Sequence, residues 1–280
     1  MDLRLDRLAT LHLVSPLMRL ASGKPLSIPI LMYHSIGEED ESTKHAYYRT
    51  TTSPKVFAAQ MEYLRQNRYQ SCDLSQAIVF LESNITDAIK PVVITFDDGY
   101  CDFYRNAFPV LSRFGLAATV FLPTAFIGEN PMQFRGRDCL TWSEVRELQK
   151  YGNSFGSHTV THPNLSILDA RTAKCEIVNS KQTIEDNLGV AVNSFAYPYA
   201  FPEENRSFIR MLRTVLVKSG YEQGVSTRIG KARANEDRYF LPRIPINSLD
   251  DMLLFEAKLQ GGYDWLGKIQ YGYKRLKNVL

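Results

Sequence analysis

The chain lacks a long uninterrupted apolar run, closely spaced cysteines, low-complexity tracts, internal repeats and any large excess of one charge. Each absence removes a class of protein. No stretch approaches the roughly 18 consecutive apolar residues of a membrane-crossing helix. The opening MDLRLDRLATLHLVSPLMRLASG carries Asp2, Arg4, Asp6 and Arg7 where a secretory leader would be uniformly apolar. The four cysteines, Cys72, Cys101, Cys139 and Cys175, are scattered and form no CxxC, so neither a disulfide scaffold nor a cysteine zinc site is indicated. They read as free, mostly buried thiols of a reducing compartment. A net charge of +3 over 280 residues offers no clustered basic surface for nucleic acid. The expectation is a cytoplasmic protein. Leu5, Leu8, Leu11, Leu13 and Leu20 suggest an amphipathic N-terminal helix over 1–27, and 251–280 ends in a basic, aromatic helical tail. Either segment can dock on the domain or touch the inner face of a membrane, and docking is the simpler reading.

What the chain does have is 44% hydrophobic residues, enough for a substantial core, and a repeated exchange of short apolar runs with helix-like stretches. Strands are expected at 28–33, 91–96, 117–122, 155–158, 195–198 and 240–244. Helices are expected from Ser53-Pro54, around 106–114, from Thr141, over 170–188 and over 209–218. Strands alternating with helices and no long linker imply one α/β domain, about 28–250, built on a parallel sheet. In such folds chemistry gathers just past the C-terminal ends of strands. His34, Asp97, Asp98, His158 and Tyr199 all fall there.

Asp97 and Asp98 are adjacent carboxylates, and their repulsion is costly unless a cation or proton separates their roles. One of them capping a helix is the plain alternative. His158 and His162 lie in Ser157-His158-Thr159-Val160-Thr161-His162-Pro163, where Pro163 favours a turn over a mid-helix pair. Two imidazoles and one carboxylate on a single ion leave positions open for water and substrate. Zinc is the default ion, and cobalt, nickel and iron suit the same donors. Trp142 is either a sugar-stacking platform or a core anchor. His12 and His45 have no motif around them.

Three segments, Thr95-Phe96-Asp97-Asp98-Gly99, Ser157 to Pro163 and Phe195-Ala196-Tyr197-Pro198-Tyr199, resemble the ordered motifs of the polysaccharide deacetylases, the NodB-homology group or carbohydrate esterase family 4. Leu31-Met32-Tyr33-His34-Ser35-Ile36 is most similar to the branch acting on poly-N-acetylglucosamine. The resemblance implies a distorted (β/α)7-type barrel of the NodB-homology fold and a metal-dependent deacetylase whose partner is an acetylated carbohydrate. It also implies roles: Asp97 as general base, Asp98, His158 and His162 as metal ligands, the N–H of Tyr199 as oxyanion donor, and His34 as catalytic acid. The chain departs from the pattern at Ala196, where many members carry an arginine that tunes the base. Arg243 can supply that charge from a neighbouring strand, or can simply form a structural ion pair. No histidine follows His162, so the acid cannot come from a C-terminal motif. A non-haem iron oxygenase is the main rival for the ligand set, but no H-x-[DE] is present. A non-catalytic carbohydrate-binding protein and a cyclic-amide hydrolase are the others. Substrate choice is expected to lie in the loops 37–49 and 128–138.

Overall fold

A computed structural model describes residues 4–20, 26–83 and 90–277. Parts of the expected N-terminal segment (1–3 and 21–25) and of the C-terminal tail (278–280) lie outside the described residues. Seven parallel strands close into a barrel: β1 (Ile30–Tyr33), β2 (Lys90–Phe96), β3 (Thr119–Leu122), β4 (Ser154–Ser157), β5 (Ser194–Ala196), β6 (Gln223–Ile229) and β7 (Leu241–Pro245). They follow the order β1-β7-β6-β5-β4-β3-β2, and β2 returns to β1 with Tyr33 opposite Phe96. Closure removes exposed strand edges. A short strand, Tyr69–Ser71, pairs with the start of β2 on its outer side.

Period-two alternation sorts each strand into two environments. On β2, Val92, Ile94 and Phe96 face the helices, in one cluster with Leu31, Val120, Leu122 and Phe195. Helix Pro54–Gln66 brings Phe57, Met61 and Leu64 to this layer, and Ala170–Leu188 brings Ile177 and Ile184, at helical spacing. The opposite set (Ile30, Val93, Phe121, Ala196, Val225 and Leu241) forms a second cluster inside the barrel, which also takes Leu74, Ala77, Ile78 and Leu81 of helix Leu74–Ser83. Further along the same faces, two residues on at Thr95, Thr227 and Arg243 and four on from Ile30 at His34, and likewise at His158 two past Gly156, the inward positions become polar, so the same alternation that fills the core points polar groups into the mouth.

The expected helix starts are present. Ser53 Oγ accepts from Val56 N–H at 3.3 Å with Pro54 following, and Thr141 and Glu144 form a reciprocal capping box. β6 is the strand that composition conceals, because its buried residues include Gly224 and Ser226. A Cβ on Gly224 would stand 2.4 Å from the Tyr239 carbonyl, and Ser226 Oγ bonds to the Phe240 and Leu241 carbonyls. Close neighbouring backbone thus replaces the apolar side chains by which strands are usually recognised.

The N-terminal helical stretch (Leu5–Ala9, a π turn Thr10–Val14, then Ser15–Leu20) docks through polar contacts. Arg7 pairs with Asp251 at 2.7 Å, Tyr263 donates to Asp6 at 2.6 Å, and Trp265 Nε1 donates to Thr10 at 3.1 Å. Leu5, Leu8 and Leu13, which define the apolar stripe in the sequence, face solvent instead. Among the described residues no helix is long and apolar enough to cross a membrane.

Gly156 on β4 is what allows the Phe121 ring to fill the barrel interior. A Cβ there would lie 2.5 Å from that ring and 2.9 Å from the Ser194 carbonyl. Gly156→Ala is therefore expected to lower stability by about 1–3 kcal/mol. Denaturant unfolding that moved by less than a few tenths of a kcal/mol would contradict this packing.

Candidate active site

Asp97 and Asp98 follow the end of β2, and the chain separates them at once. Asp98 takes a left-handed φ of +71° and Gly99 one of +60°. Thr159, His162 and Tyr199 are also left-handed, at +69°, +56° and +59°. Four non-glycine residues of the mouth thus hold a costly backbone conformation, each at about 1 kcal/mol or more, which only a tightly determined surrounding sustains. For the loop after β4 that surrounding is Glu176. Its carboxylate accepts the N–H groups of Val160 and Thr161 at 2.9 and 2.8 Å and the Thr161 hydroxyl at 2.8 Å. Thr159 Oγ1 accepts from His162 N–H at 3.1 Å. The tight loop turns both imidazoles to one point, with ring centroids 4.7 Å apart.

That point is Asp98. Its Oδ1 lies 3.2 Å from His162 Nε2 and 3.7 Å from His158 Nε2, and ligand atoms of the three buried residues lie within 4.8 Å of one another. His158 Nδ1 stands 2.8 Å from the Ala196 carbonyl, which can only accept. The proton is therefore on Nδ1, and the Nε2 lone pair points to the cluster. Burial pushes the His158 pKa down to about 4, which keeps the imidazole neutral, as a ligand must be. Among the described residues Asp98 Oδ1 has no hydrogen-bond partner although it is buried. Two imidazoles converging on an unsatisfied carboxylate oxygen fit one divalent cation.

Asp97 faces the other way. Arg243 grips both its oxygens, Nη1 to Oδ1 and Nη2 to Oδ2, each at 2.7 Å. The guanidinium is itself fully buried and held by the Ser226 carbonyl at 3.0 Å and Thr95 Oγ1 at 3.2 Å. Burial raises the Asp97 pKa, but the charge and hydrogen bonds of Arg243 outweigh it, so the carboxyl stays below its ordinary value. His34 Nε2 stands 3.9 Å from Asp97 Oδ2. His34 is held from below, since Ser35 Oγ donates to Asp102 at 2.5 Å and ties the end of β1 to the segment after Gly99.

These groups line a cleft of about 390 Å³ that also includes Tyr100, Tyr199 and Thr227. Tyr199 is 47% exposed and its ring lies 4.8 Å from that of His162. Trp142 does not take part. It opens its helix 5% exposed, in the outer core, and so offers no face for stacking a sugar. Residues that motif reading missed are Lys44, Arg49, Arg135 and Arg137, all of which line the cleft. Arg135 and Gly136 form a two-residue hairpin turn, both with positive φ, between Gln133–Phe134 and Arg137–Asp138. The Arg-Gly-Arg run was the available signal. A larger cavity of about 700 Å³ lies near the terminal helices, and several of its charged groups are paired with one another, as in Arg228–Glu236 and Arg233–Asp264.

Comparison with known proteins agrees with the geometry. The sequence profile of the family described as polysaccharide deacetylase matches residues 84–222. YxkH of Bacillus subtilis (strain 168), named for the polysaccharide deacetylases, is 31% identical over 224 residues, covering 80% of this chain and 73% of YxkH. The poly-beta-1,6-N-acetyl-D-glucosamine N-deacetylase of Staphylococcus aureus (strain MRSA252) is 24% identical over 78% of each chain. Among solved structures, the Streptococcus pyogenes deacetylase PplD in complex with acetate superposes with a TM-score of 0.73 at 27% identity, covering 84% of this chain and 99% of PplD. The chain belongs to the polysaccharide deacetylase family, and its barrel is the NodB-type (β/α)7 fold.

Two outcomes follow from the site itself. His162→Ala and Asp98→Asn should each lower bound divalent metal by at least about tenfold in affinity while the far-UV spectrum is kept. Undiminished metal content by elemental analysis would remove the cluster as a metal site. Asp102 is raised to about 6, by burial first, against the lowering effect of its Ser35 and Ile36 hydrogen bonds. A carboxyl whose folded pKa exceeds its unfolded one is increasingly penalised between about pH 4 and 6. Asp102→Asn should therefore gain stability over the parent as pH rises through that window, by at most about 3 kcal/mol. A mutant-minus-parent difference that is flat with pH would refute the assignment.

Proposed function

We propose that this chain is a metal-dependent hydrolase that removes acetyl groups from an N-acetylated, or O-acetylated, sugar of a polysaccharide or glycan precursor. The observation that carries this reading is the meeting of the Asp98–His158–His162 cluster and the Arg243-held Asp97 in one cleft. Membership of the polysaccharide deacetylase family supports the carbohydrate substrate and the hydrolytic class. We take the ion to be zinc, with cobalt, nickel and iron matching the same donors.

When bound, the ion supplies Lewis-acid polarisation of the acetyl carbonyl and acidifies a water. The protein's own groups do the rest. Asp97 is the base that accepts the water's proton. It is ionised at neutral pH because Arg243 sits on it, and each of its oxygens keeps a second lone pair for the incoming hydrogen bond. Arg243 reaches from β7 to provide the cation that the family places beside the base from the position occupied here by Ala196. His34, across Asp97 from Arg243 and open to the cleft, is the acid that hands a proton to the departing amine or hydroxyl. The Tyr199 N–H donates to no protein group among the described residues, and it offers a hydrogen bond to the charge that develops on the acetyl oxygen.

The test is acetate release from a panel of acetylated oligosaccharides and lipid-linked sugars by the metal-loaded full-length protein. Asp97→Asn and His34→Asn should each lower kcat by about 10²–10⁴ with metal content retained. Arg243→Lys, which keeps the charge but loses the two-point grip, should fall between parent and Asp97→Asn. Ammonia or ring-opened amide instead of acetate would transfer the chain to the cyclic-amide hydrolases. Near-normal turnover by Asp97→Asn would end its assignment as the base.

A further inference from the structure

The cleft carries more positive charge than its chemistry uses. Its two carboxylates are committed, Asp97 to Arg243 and Asp98 to the histidine cluster. Around them stand Lys44, Arg49, Arg135 and Arg137. Two of these are balanced: Lys44 pairs with Glu41 at 2.8 Å and Arg137 with Glu39 at 3.6 Å. The other two are not. Among the described residues neither Arg49 nor Arg135 forms an ion pair with a carboxylate, and Asp40, whose charge Arg49 influences, stands out in solvent.

Both unpaired cations are nevertheless held in place. The Arg135 guanidinium donates to the Tyr199 hydroxyl at 2.6 Å and lies over the Phe134 and Tyr199 rings, 4.9 and 5.1 Å from their centroids. Arg49 Nε donates to the Lys44 carbonyl at 3.1 Å. These acceptors are neutral, so they fix the side chains without cancelling the charge, and each guanidinium keeps further N–H groups free. The two basic loops are also joined, since Arg137 Nη2 donates to Thr51 Oγ1 at 2.9 Å. Arg135 touches Tyr199, whose ring touches His162, so this charge begins one side chain away from the metal ligands.

Clustered like charges oppose one another, and a cleft that holds them in fixed positions is complementary to an anion. A neutral N-acetyl polymer gains nothing from them, and the ammonium product of its deacetylation would be repelled. We propose that the substrate of this cleft is an anionic glycan, in which a phosphate or carboxylate group lies on or next to the sugar that bears the acetyl group, with Arg49 and Arg135 as the anion-binding residues. This rests on the deacetylase reading and specifies its substrate class. Guanidinium pairs with either group through two parallel hydrogen bonds, so the chemistry is shared between phosphate and carboxylate.

The metal-loaded full-length protein is assayed on three probes: a β-1,6-linked N-acetylglucosamine trimer, the same trimer carrying a 6-phosphate, and a tetrasaccharide alternating glucuronate with N-acetylglucosamine. At low salt at least one anionic probe should exceed the neutral trimer in kcat/KM by about tenfold or more, with the advantage shrinking as salt is raised. Preference for only one of the two identifies the anion. Arg49→Gln should reduce the advantage through KM, and Arg49→Lys should retain most of it. Binding of the same probes to metal-loaded Asp97→Asn protein, followed by calorimetry, reads the charge preference without turnover, so absence of acetate release would count against the deacetylase reading and leave this one open to decision. Equal or tighter binding of the neutral trimer at low salt, or an advantage untouched by salt and by Arg49→Gln, would overturn it.

Discussion

Two neighbouring carboxylates repel each other when buried together, and the mouth of this barrel is arranged around that repulsion. Asp97 continues the inward alternation of β2 and meets a guanidinium from β7. Asp98 is swung out of that alternation by a left-handed backbone and meets two imidazoles carried by the loop after β4. Neither partner is near the aspartates in sequence, so only closure of the barrel brings the compensating groups to them. An Asp97 left without Arg243 would be an uncompensated buried charge, which makes this ion pair a condition of the site as well as a tuning device.

The same economy runs through the supporting layers. Residues two steps below the mouth are apolar and pack inside the barrel, with Gly156 making room for Phe121. The left-handed residues at 98, 159, 162 and 199 tolerate their strain because the groups around them are fixed by hydrogen bonds from outside the loops: Glu176 from a helix, Thr227 from β6 to the Tyr199 carbonyl, and Ser35 to Asp102. The mouth therefore rests on supports such as Glu176 and Ser35 outside the cleft and Thr227 in its wall. The two rim segments that bear Arg49 and Arg135 line the same cleft, and surface loops of this kind tolerate change at little cost in stability.

Much of this was legible in the chain. β2 is recognisable because it is buried on both faces and needs β-branched residues throughout, and the capped helices at Ser53 and Thr141 announce themselves by short-range hydrogen-bond chemistry. β6 was not legible, because its pairing depends on close backbone approach at Gly224 and on a hydroxyl at Ser226, which read as loop composition. The N-terminal leucines misled in the other direction. Their spacing is that of a docking face, but Arg7, Asp6 and Thr10 found the better partners on the C-terminal helices. Trp142 was undecidable from sequence, since an aromatic ring at the first turn of a helix serves a core and a sugar equally well until its neighbours are known.

By itself the sequence determined the identities and order of the reactive groups. It placed an aspartate pair at one strand end, a histidine pair bent by Pro163 at another, and a lone histidine at a third, because local chemistry and two-residue periodicity are short-range properties. The tertiary structure alone decided which carboxylate faces the guanidinium and which the imidazoles, that Arg243 rather than a residue at Ala196 neutralises Asp97, and that Arg49 and Arg135 stand over the cleft with no ion-pair partner among the described residues. Those are distances between segments far apart along the chain. They exist only once seven strands have closed on one another.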